Sequence, residues 1–442
     1  MMDIKKYLDK IGVKELNAMQ QDALDTICSS NDDVVVLSPT GTGKTLAYLL
    51  PLTELVDASS DDLQTVVVVP GRELALQSAT VLKGLSSGIR SLACYGGRPA
   101  MDEHRQLRQV CPQVIFGTPG RLNDHLDKGN ISPAQIGILV IDEFDKCLEM
   151  GFSDEMIRLL AKLPNIRRRI LLSATDAEEI PYFVGHGNIR RIDYLSENKN
   201  VSGRIALHRV DSPEKDKLET LRSLLLSIGS GSTIVFLNYR ESVERASAYL
   251  SEQGFSVSAF HGGLDQRGRE SALYRFANGS ACILVSTDLG SRGLDIPDVE
   301  NIIHYHMPET KEAYLHRIGR TARWDKNGRA FFILATGEKI PDYVAGDIPN
   351  YSLSPKGMPA RPRMTTLYIG KGKKDKISKG DLVGFLCKKG GLSKDDIGRI
   401  DVRDYYCYVA VNRSKAAEML KKVRGEKIKG LRTLVEIAAP EA

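Results

Sequence analysis

The chain repeats one hydropathy pattern: a short run of β-branched and aliphatic residues, then a longer stretch with apolar positions at helical spacing. In the first half the runs are Asp33–Leu37, Thr65–Val69, Ser91–Tyr95, Val114–Phe116, Ile138–Ile141 and Arg169–Leu172. They are largely apolar rather than alternating, which predicts strands buried on both faces of a parallel sheet. Helical stretches open at Leu46 and Arg72 and pass through Met156–Leu163, and Asp3–Ser30 also reads as helical. Such alternation predicts a doubly wound sheet. After a polar linker around Ser196–Ser202, a second series follows, with strands at Ser232–Phe236, Ser256–Phe260, Cys282–Ser286, Asn301–Tyr305 and Ala330–Leu334.

Beyond the proline-rich stretch Pro355–Pro362 the order changes. Strand Thr365–Ile369, a lysine loop at Lys371–Lys379 and helix Asp381–Lys389 lead to strands Arg399–Val402 and Tyr406–Val411, helix Ser414–Val423 and strand Thr433–Ile437. That β-α-β-β-α-β order is the ferredoxin-like, RRM-type arrangement. The expected domains are residues 1–198, 203–350 and 364–442, with a linker at 351–363, a division that suits a length of 442.

Composition is ordinary for a soluble protein, 42% hydrophobic and 26% charged. No apolar run is long enough to span a bilayer, and Met1–Val13 has no apolar core of a signal peptide. The seven cysteines are scattered without C-x-x-C spacing, so a cytoplasmic protein without a zinc site or disulfide framework is expected. Charge is unevenly placed. Residues 361–442 hold 20 Lys+Arg against 10 Asp+Glu, leaving 41 against 46 in the rest. A basic tail on a mildly acidic body points to a polyanion partner.

The chemistry begins at Ser38-Pro-Thr-Gly-Thr-Gly-Lys-Thr45, between a strand and a helix. Gly41 and Gly43 let backbone N–H groups turn around an anion, and the helix N-terminus adds its dipole. Lys44 would reach the β- and γ-phosphates, with the Thr45 hydroxyl near Mg²⁺. The strand Ile138–Ile141 ends in Asp142, Glu143 and Asp145. Clustered acids at a strand's C-terminal end need a cation; alone, they read equally as a strand entering an acidic turn. His316-Arg-Ile-Gly-Arg-Thr-Ala-Arg323 places cations on one helix face, which alone is also what an ordinary basic surface looks like. The second half has no second glycine-rich lysine loop, so no second nucleotide site is expected there.

Taken in order, these pieces resemble the DEAD-box RNA helicases across residues 10–335. The likeness rests on Ser38–Thr45, Pro70-Gly-Arg-Glu-Leu-Ala75, Gly96-Gly97, Thr118-Pro-Gly-Arg121, Asp142-Glu-Phe-Asp145 and Ser173-Ala-Thr175. It continues through Gln266-Arg-Gly-Arg269, Thr287-Asp-Leu-Gly-Ser-Arg-Gly-Leu-Asp295 and the helix at His316. The tail resembles the DbpA-type RNA-binding domain through Thr366-Leu-Tyr-Ile-Gly370, its lysine loop and Ile397–Val411.

The resemblance implies two tandem RecA-like domains followed by the RRM-like tail, and an RNA-stimulated ATPase and helicase. It implies ATP held by Gln20, Pro39, Thr40, Gly41, Thr42, Gly43, Lys44, Thr45 and Asp295, with Gln20 at the adenine and Asp295 at the ribose. Mg²⁺ would be held, mostly through water, by Thr45, Asp142 and Glu143, with Glu143 the base for the attacking water. Arg320 and Arg323 would be arginine fingers, and Asp145, Ser173, Thr175 and His316 would couple hydrolysis to RNA. Implied RNA contacts are Arg72, Gly97, Thr118 and Arg121, then Gly262, Gln266, Arg269 and Thr287. The implied substrate is structured ribosomal RNA in large-subunit assembly, with pre-ribosomal particles as partners and no membrane. The rival readings are an ATP-gated RNA clamp with little strand separation and a DNA helicase of the wider superfamily.

Three departures from the family pattern stand out. Leu16 and Asn17 stand where Pro-Thr precedes the Gln, and no aromatic stands upstream. Gly71 replaces a Thr, and Phe144 replaces an Ala and is expected as buried bulk. The tail lacks the aromatic RNP1 signature, and Tyr406 and Tyr408 are expected on one sheet face as filler or core.

Overall fold

The computed structural model describes residues 4–438 apart from 40, 98–99, 176–187, 196–203, 289–298, 322–326, 345 and 347. The chain divides into two compact units, one with the first sheet and one with the rest.

The first unit is a seven-stranded, all-parallel sheet. Its strands are β1 (Asp33–Leu37), β2 (Thr65–Val68), β3 (Ser91–Cys94), β4 (Val114–Gly117), β5 (Ile138–Ile141), β6 (Arg168–Ser173) and β7 (Ile189–Asp193), in the order β3-β4-β2-β5-β6-β1-β7. The central strands β1, β2 and β4 are buried at every residue, as their unbroken apolar runs require. Helices cover both faces, making one core around Val34, Tyr48 and Phe116 and a second around Ile141, Phe144 and Met156. Phe144 is therefore buried bulk, as expected. The stretch read as one helix from Asp3 to Ser30 is broken: Ile4–Ile11 and Ala18–Ser29 are separate helices.

The second unit opens with a six-stranded parallel sheet: β8 (Ile205–Ser212), β9 (Thr233–Leu237), β10 (Val257–Phe260), β11 (Ile283–Thr287), β12 (Asn301–His304) and β13 (Gly328–Ala335). Its order, β10-β11-β9-β12-β13-β8, matches that of the first six strands position for position.

The tail is an antiparallel sheet of β14 (Met364–Ile369), β15 (Ile397–Val402), β16 (Cys407–Asn412) and a later edge strand, with a hairpin β17 (Lys427–Ile428) and β18 (Leu431–Arg432) preceding that edge strand, β19 (Val435–Ile437). Helices Lys379–Lys388 and Arg413–Val423 pack on one face around Leu382, Leu386 and Met419. The other face carries Tyr368 and Tyr408 with Tyr406 beside them, ring centroids 5.2–6.0 Å apart. This face is neither core nor open. Helix Gln266–Ala277 of the second parallel-sheet domain lies on it, with Tyr274 stacked on Tyr408 at 5.2 Å and Arg267 over Tyr368 at 4.6 Å. The Tyr406 hydroxyl donates to Glu270 at 2.9 Å, Asn278 donates to Thr366 at 2.9 Å, and the Tyr274 hydroxyl donates to the carbonyls of Arg399 and Tyr408.

Candidate active site

In the first unit the singled-out residues gather at the C-terminal edge of one sheet, where ligands of doubly wound folds sit. The loop after β1 turns through Gly41 and Gly43 at φ of 84° and 85°, a backbone that other residues adopt with strain. Lys44, buried, donates to the carbonyls of Ser38 at 2.6 Å and Pro39 at 3.0 Å, and Thr42 Oγ1 donates to Pro39 at 2.9 Å. Gln20 is buried against this loop and donates to the Gly43 carbonyl at 3.2 Å. The departure at Asn17 has its own use. Its side chain caps helix Ala18–Ser29 in a reciprocal box with Gln20, and its Nδ2 donates to the Thr42 carbonyl at 2.8 Å.

At the end of β5 the chain turns sharply. Glu143 is in the left-handed region, φ 51° and ψ 51°, at the start of the short helix Phe144–Glu149, a strained backbone of the kind held at functional sites. Asp142 is buried and accepts the Glu143 N–H at 3.0 Å. Burial, then the charge of Glu143, pushes the Asp142 carboxyl up to about 7, against the pull of Lys44. This edge calls for more positive charge than the protein itself brings. Asp145 accepts from Thr175 Oγ1 at 3.1 Å, and the Ser173 hydroxyl donates to the Thr175 carbonyl at 2.6 Å, so the ends of β5 and β6 are tied.

Arg72, Gly97, Thr118 and Arg121 follow β2, β3 and β4 on the same edge. Gly97 sits at φ 89°, a backbone that other residues adopt with strain, and the flexible end of Arg72 lies beside it. Thr118 opens helix Pro119–Asp127, which carries Arg121.

In the second unit Gly262 follows β10, and its carbonyl accepts from Arg269 Nη2 at 3.1 Å. Gln266 donates to Glu270 at 3.0 Å, and Thr287 ends β11. His316 is buried, its Nδ1 2.8 Å from the Glu312 carbonyl, and Arg320 is buried one residue past the Lys311–Ile318 helix and its Gly319 cap. Thr40, Asp295 and Arg323 lie outside the described residues.

Three family models match the chain: the DEAD/DEAH box helicase over residues 17–181, the helicase conserved C-terminal domain over 216–325 and the DbpA RNA binding domain over 366–437. The ATP-dependent RNA helicase DbpA of Escherichia coli strain K12 is 36% identical over 433 residues, 96% of this chain and 94% of the relative. The chain belongs to the DEAD-box RNA helicases. The DbpA of Bacillus subtilis strain 168 is 29% identical across 97% of this chain and 96% of its own. Among solved structures, S. cerevisiae Dbp5 bound to RNA and ADP BeF3 aligns with a TM-score of 0.67 at 27% identity, covering 75% of this chain and 86% of that one. Mss116p bound to ssRNA and AMP-PNP aligns at 0.70 and 26% identity, covering 80% and 78%. This DEAD-box protein is thus an ATP-dependent RNA helicase with an RNA-binding tail, and no helix among its described residues is long and apolar enough to cross a membrane.

Two clusters in the helicase had no signal in its sequence. Buried Glu103 accepts the Tyr95 N–H at 3.1 Å, meets His125 Nε2 at 2.9 Å and faces Arg121 Nε at 3.6 Å. Cys94 lies beside them, giving the outline of a metal site. The hydrogen bonding says otherwise: the Asn130 amide lies 3.1 Å from His125 Nδ1, and an amide N–H donated there leaves Nε2 protonated and pointing at Glu103. The cluster is a brace for Arg121. In the second unit, buried Arg317 clamps Asp288 with two bonds of 2.6 Å and donates to Asn238 at 2.9 Å and the His306 carbonyl at 2.7 Å. It ties the end of β11 to the helix that leads to Arg320.

Proposed function

We propose that this helicase hydrolyses ATP on Lys44, Thr45, Asp142 and Glu143 to separate short RNA duplexes, and that its substrate is structured ribosomal RNA of the assembling large subunit in the cytoplasm. The observation that carries the reading is the convergence of the phosphate loop, the acidic turn and Arg72, Gly97, Thr118 and Arg121 on one sheet edge. Lys44 exchanges the Ser38 and Pro39 carbonyls for phosphate oxygens, which its charge prefers. Glu143, held by its left-handed backbone, orients the attacking water and takes its proton. Mg²⁺ fits the buried, cation-seeking carboxylate of Asp142, with Thr45 and Glu143 beside it, and supplies charge neutralisation on the phosphates. Gln20 and Asp295 are the adenine and ribose contacts, and Arg320 and Arg323 the residues that neutralise charge on the transferring phosphoryl group.

The Thr175–Asp145 bond supports a coupling role for Asp145, Ser173 and Thr175, with His316 as its counterpart in the second domain. Glycine and arginine contacts from Arg72, Gly97, Thr118, Arg121, Gly262, Gln266, Arg269 and Thr287 favour the RNA backbone over its bases. Targeting then falls to the basic tail. Glu143→Gln should lower RNA-stimulated turnover by about 10²–10⁴-fold while ATP-dependent RNA binding persists. Near-normal turnover in a phosphate-release assay would remove Glu143 from the chemistry. Crosslinking the intact protein to cellular RNA should recover mainly large-subunit ribosomal fragments; recovery of unrelated messages would overturn the substrate.

A further inference from the structure

Glu270 has a different partner on each of its two carboxylate oxygens. It lies on helix Gln266–Ala277, with its side chain only 12% exposed. Oε1 accepts from the Gln266 amide at 3.0 Å, one helical turn earlier. Oε2 accepts from the Tyr406 hydroxyl of the tail at 2.9 Å, and Arg403 Nε, also of the tail, stands 3.6 Å away. An acid is costly on a surface that meets a polyanion, because it repels phosphate where Gln266 and Arg269 are to attract it. An ordinary intrahelical surface pair would account for Gln266 but not for the phenol of the tail.

The chemistry of the three groups orders the link. A carboxylate only accepts, so it takes Gln266 by its N–H and settles which way that amide points. It takes Tyr406 by its O–H. Burial, then the Glu270 charge, holds that phenol well above its ordinary pKa, so it stays a donor. Hydrogen bonds to an ionised acceptor are the stronger kind. Other docking contacts bypass Glu270: Tyr274 donates to the Arg399 and Tyr408 carbonyls, Asn278 donates to Thr366, and Thr366 donates to Ser280 at 3.0 Å. Those bonds hold the tail on the helix, while Glu270 carries its position to a side chain one turn away.

We propose that Glu270 is a positioning residue through which the docked tail orients the Gln266 amide for RNA. This rests on the reading of Gln266 as an RNA contact. A side chain already held in one orientation loses less freedom on binding, so the link tightens the grip of the core without touching RNA itself.

Tyr406→Phe in the full chain removes only the hydroxyl and keeps the ring beside Tyr368 and Tyr408. It should raise the Kd for a fluorescent oligouridylate, read by anisotropy with AMP-PNP present, by about threefold. Glu270→Ala should weaken binding at least as much, although it removes a negative charge. Tighter binding there would mean that the acid only repels RNA, and would overturn the proposal. Adding Tyr406→Phe to Gln266→Ala should change nothing further, because the hydroxyl acts through that amide. Tyr274→Phe, which loses docking bonds that do not involve Glu270, should leave the Kd at its wild-type value. A shift equal to that of Tyr406→Phe would assign the effect to docking in general and overturn the route through Glu270. Gln266→Ala separates the two layers. Wild-type binding there removes Gln266 from the RNA contacts, whereas a loss in it with none in Tyr406→Phe removes only the positioning role.

Discussion

The two parallel-sheet domains share a strand order and even a loop opening, yet they treat one lysine in different ways. After β1 the chain runs Ser38-Pro to Lys44, and after the equivalent β8 it runs Ser212-Pro to Lys217. The first loop has two left-handed glycines, and the second is shorter and has none. Lys44 donates to the Ser38 and Pro39 carbonyls and is drawn to the Asp142 carboxylate. Lys217 is equally buried but donates to the Ile333 carbonyl at 3.1 Å and to the Glu338 carboxylate at 2.8 Å, beside the Tyr305 ring at 5.2 Å. The two lysines thus differ in their surroundings: Lys44 lies in a glycine loop beside an acidic turn, and Lys217 is held by Glu338 in a loop without left-handed glycines.

The largest effect should come from exchanging the two lysines for alanine. Lys44→Ala should cost about 10²–10³-fold in ATP turnover, whereas Lys217→Ala should leave turnover within about threefold and lower the unfolding midpoint of the second unit. A folded Lys217→Ala protein that no longer hydrolyses ATP would break the contrast. Next in size is Glu338→Ala. It strands the buried Lys217 ammonium, and loss of a buried partner costs about 3–5 kcal/mol. Because the Glu338 side chain is 41% exposed, about 2 kcal/mol is the expected loss after allowing for solvent screening, read by urea unfolding.

The smallest difference is in pH. With the Asp142 carboxyl raised to about 7, the folded metal-free protein holds a proton there that the unfolded chain releases near the ordinary carboxylate value. That site therefore adds stability as pH falls below about 7, and divalent-cation binding, which needs the ionised form, should weaken over the same range by up to about tenfold per pH unit. Near Lys217, burial, then the lysine's charge, holds His306 down at about 4, so the second pocket should show no titration between about pH 5.5 and 8. Mg²⁺ affinity that is flat across this window would remove the pH half of the comparison.

The parts legible in the sequence were those written in consecutive residues. Unbroken apolar runs announced β1, β2 and β4, and the spacing of Gly41, Gly43 and Lys44 announced the tight loop that joins β1 to its helix. Asn17 looked like a lost motif letter until its contact with Thr42, 25 residues away, was seen to restore the link. The brace on Arg121 and the clamp of Arg317 on Asp288 join residues 18 and 29 positions apart; no periodicity encodes such pairs. Tyr406 and Tyr408 were legible as one sheet face, but their neighbour Tyr368 and the covering helix Gln266–Ala277 stand far back in the chain, and nothing local names either.

That docked face has a practical consequence for dissecting the enzyme. Cutting the chain before the tail does not simply subtract a module; it uncovers Tyr274, Arg267 and Glu270 on a helix that also carries Gln266 and Arg269. The severed tail, in turn, would display three clustered tyrosines on a bare sheet, the arrangement on which single-stranded bases stack in RRM-type domains. An isolated tail could then hold RNA through a surface that the whole enzyme keeps covered, and an affinity measured on the fragment would describe the cut as much as the protein.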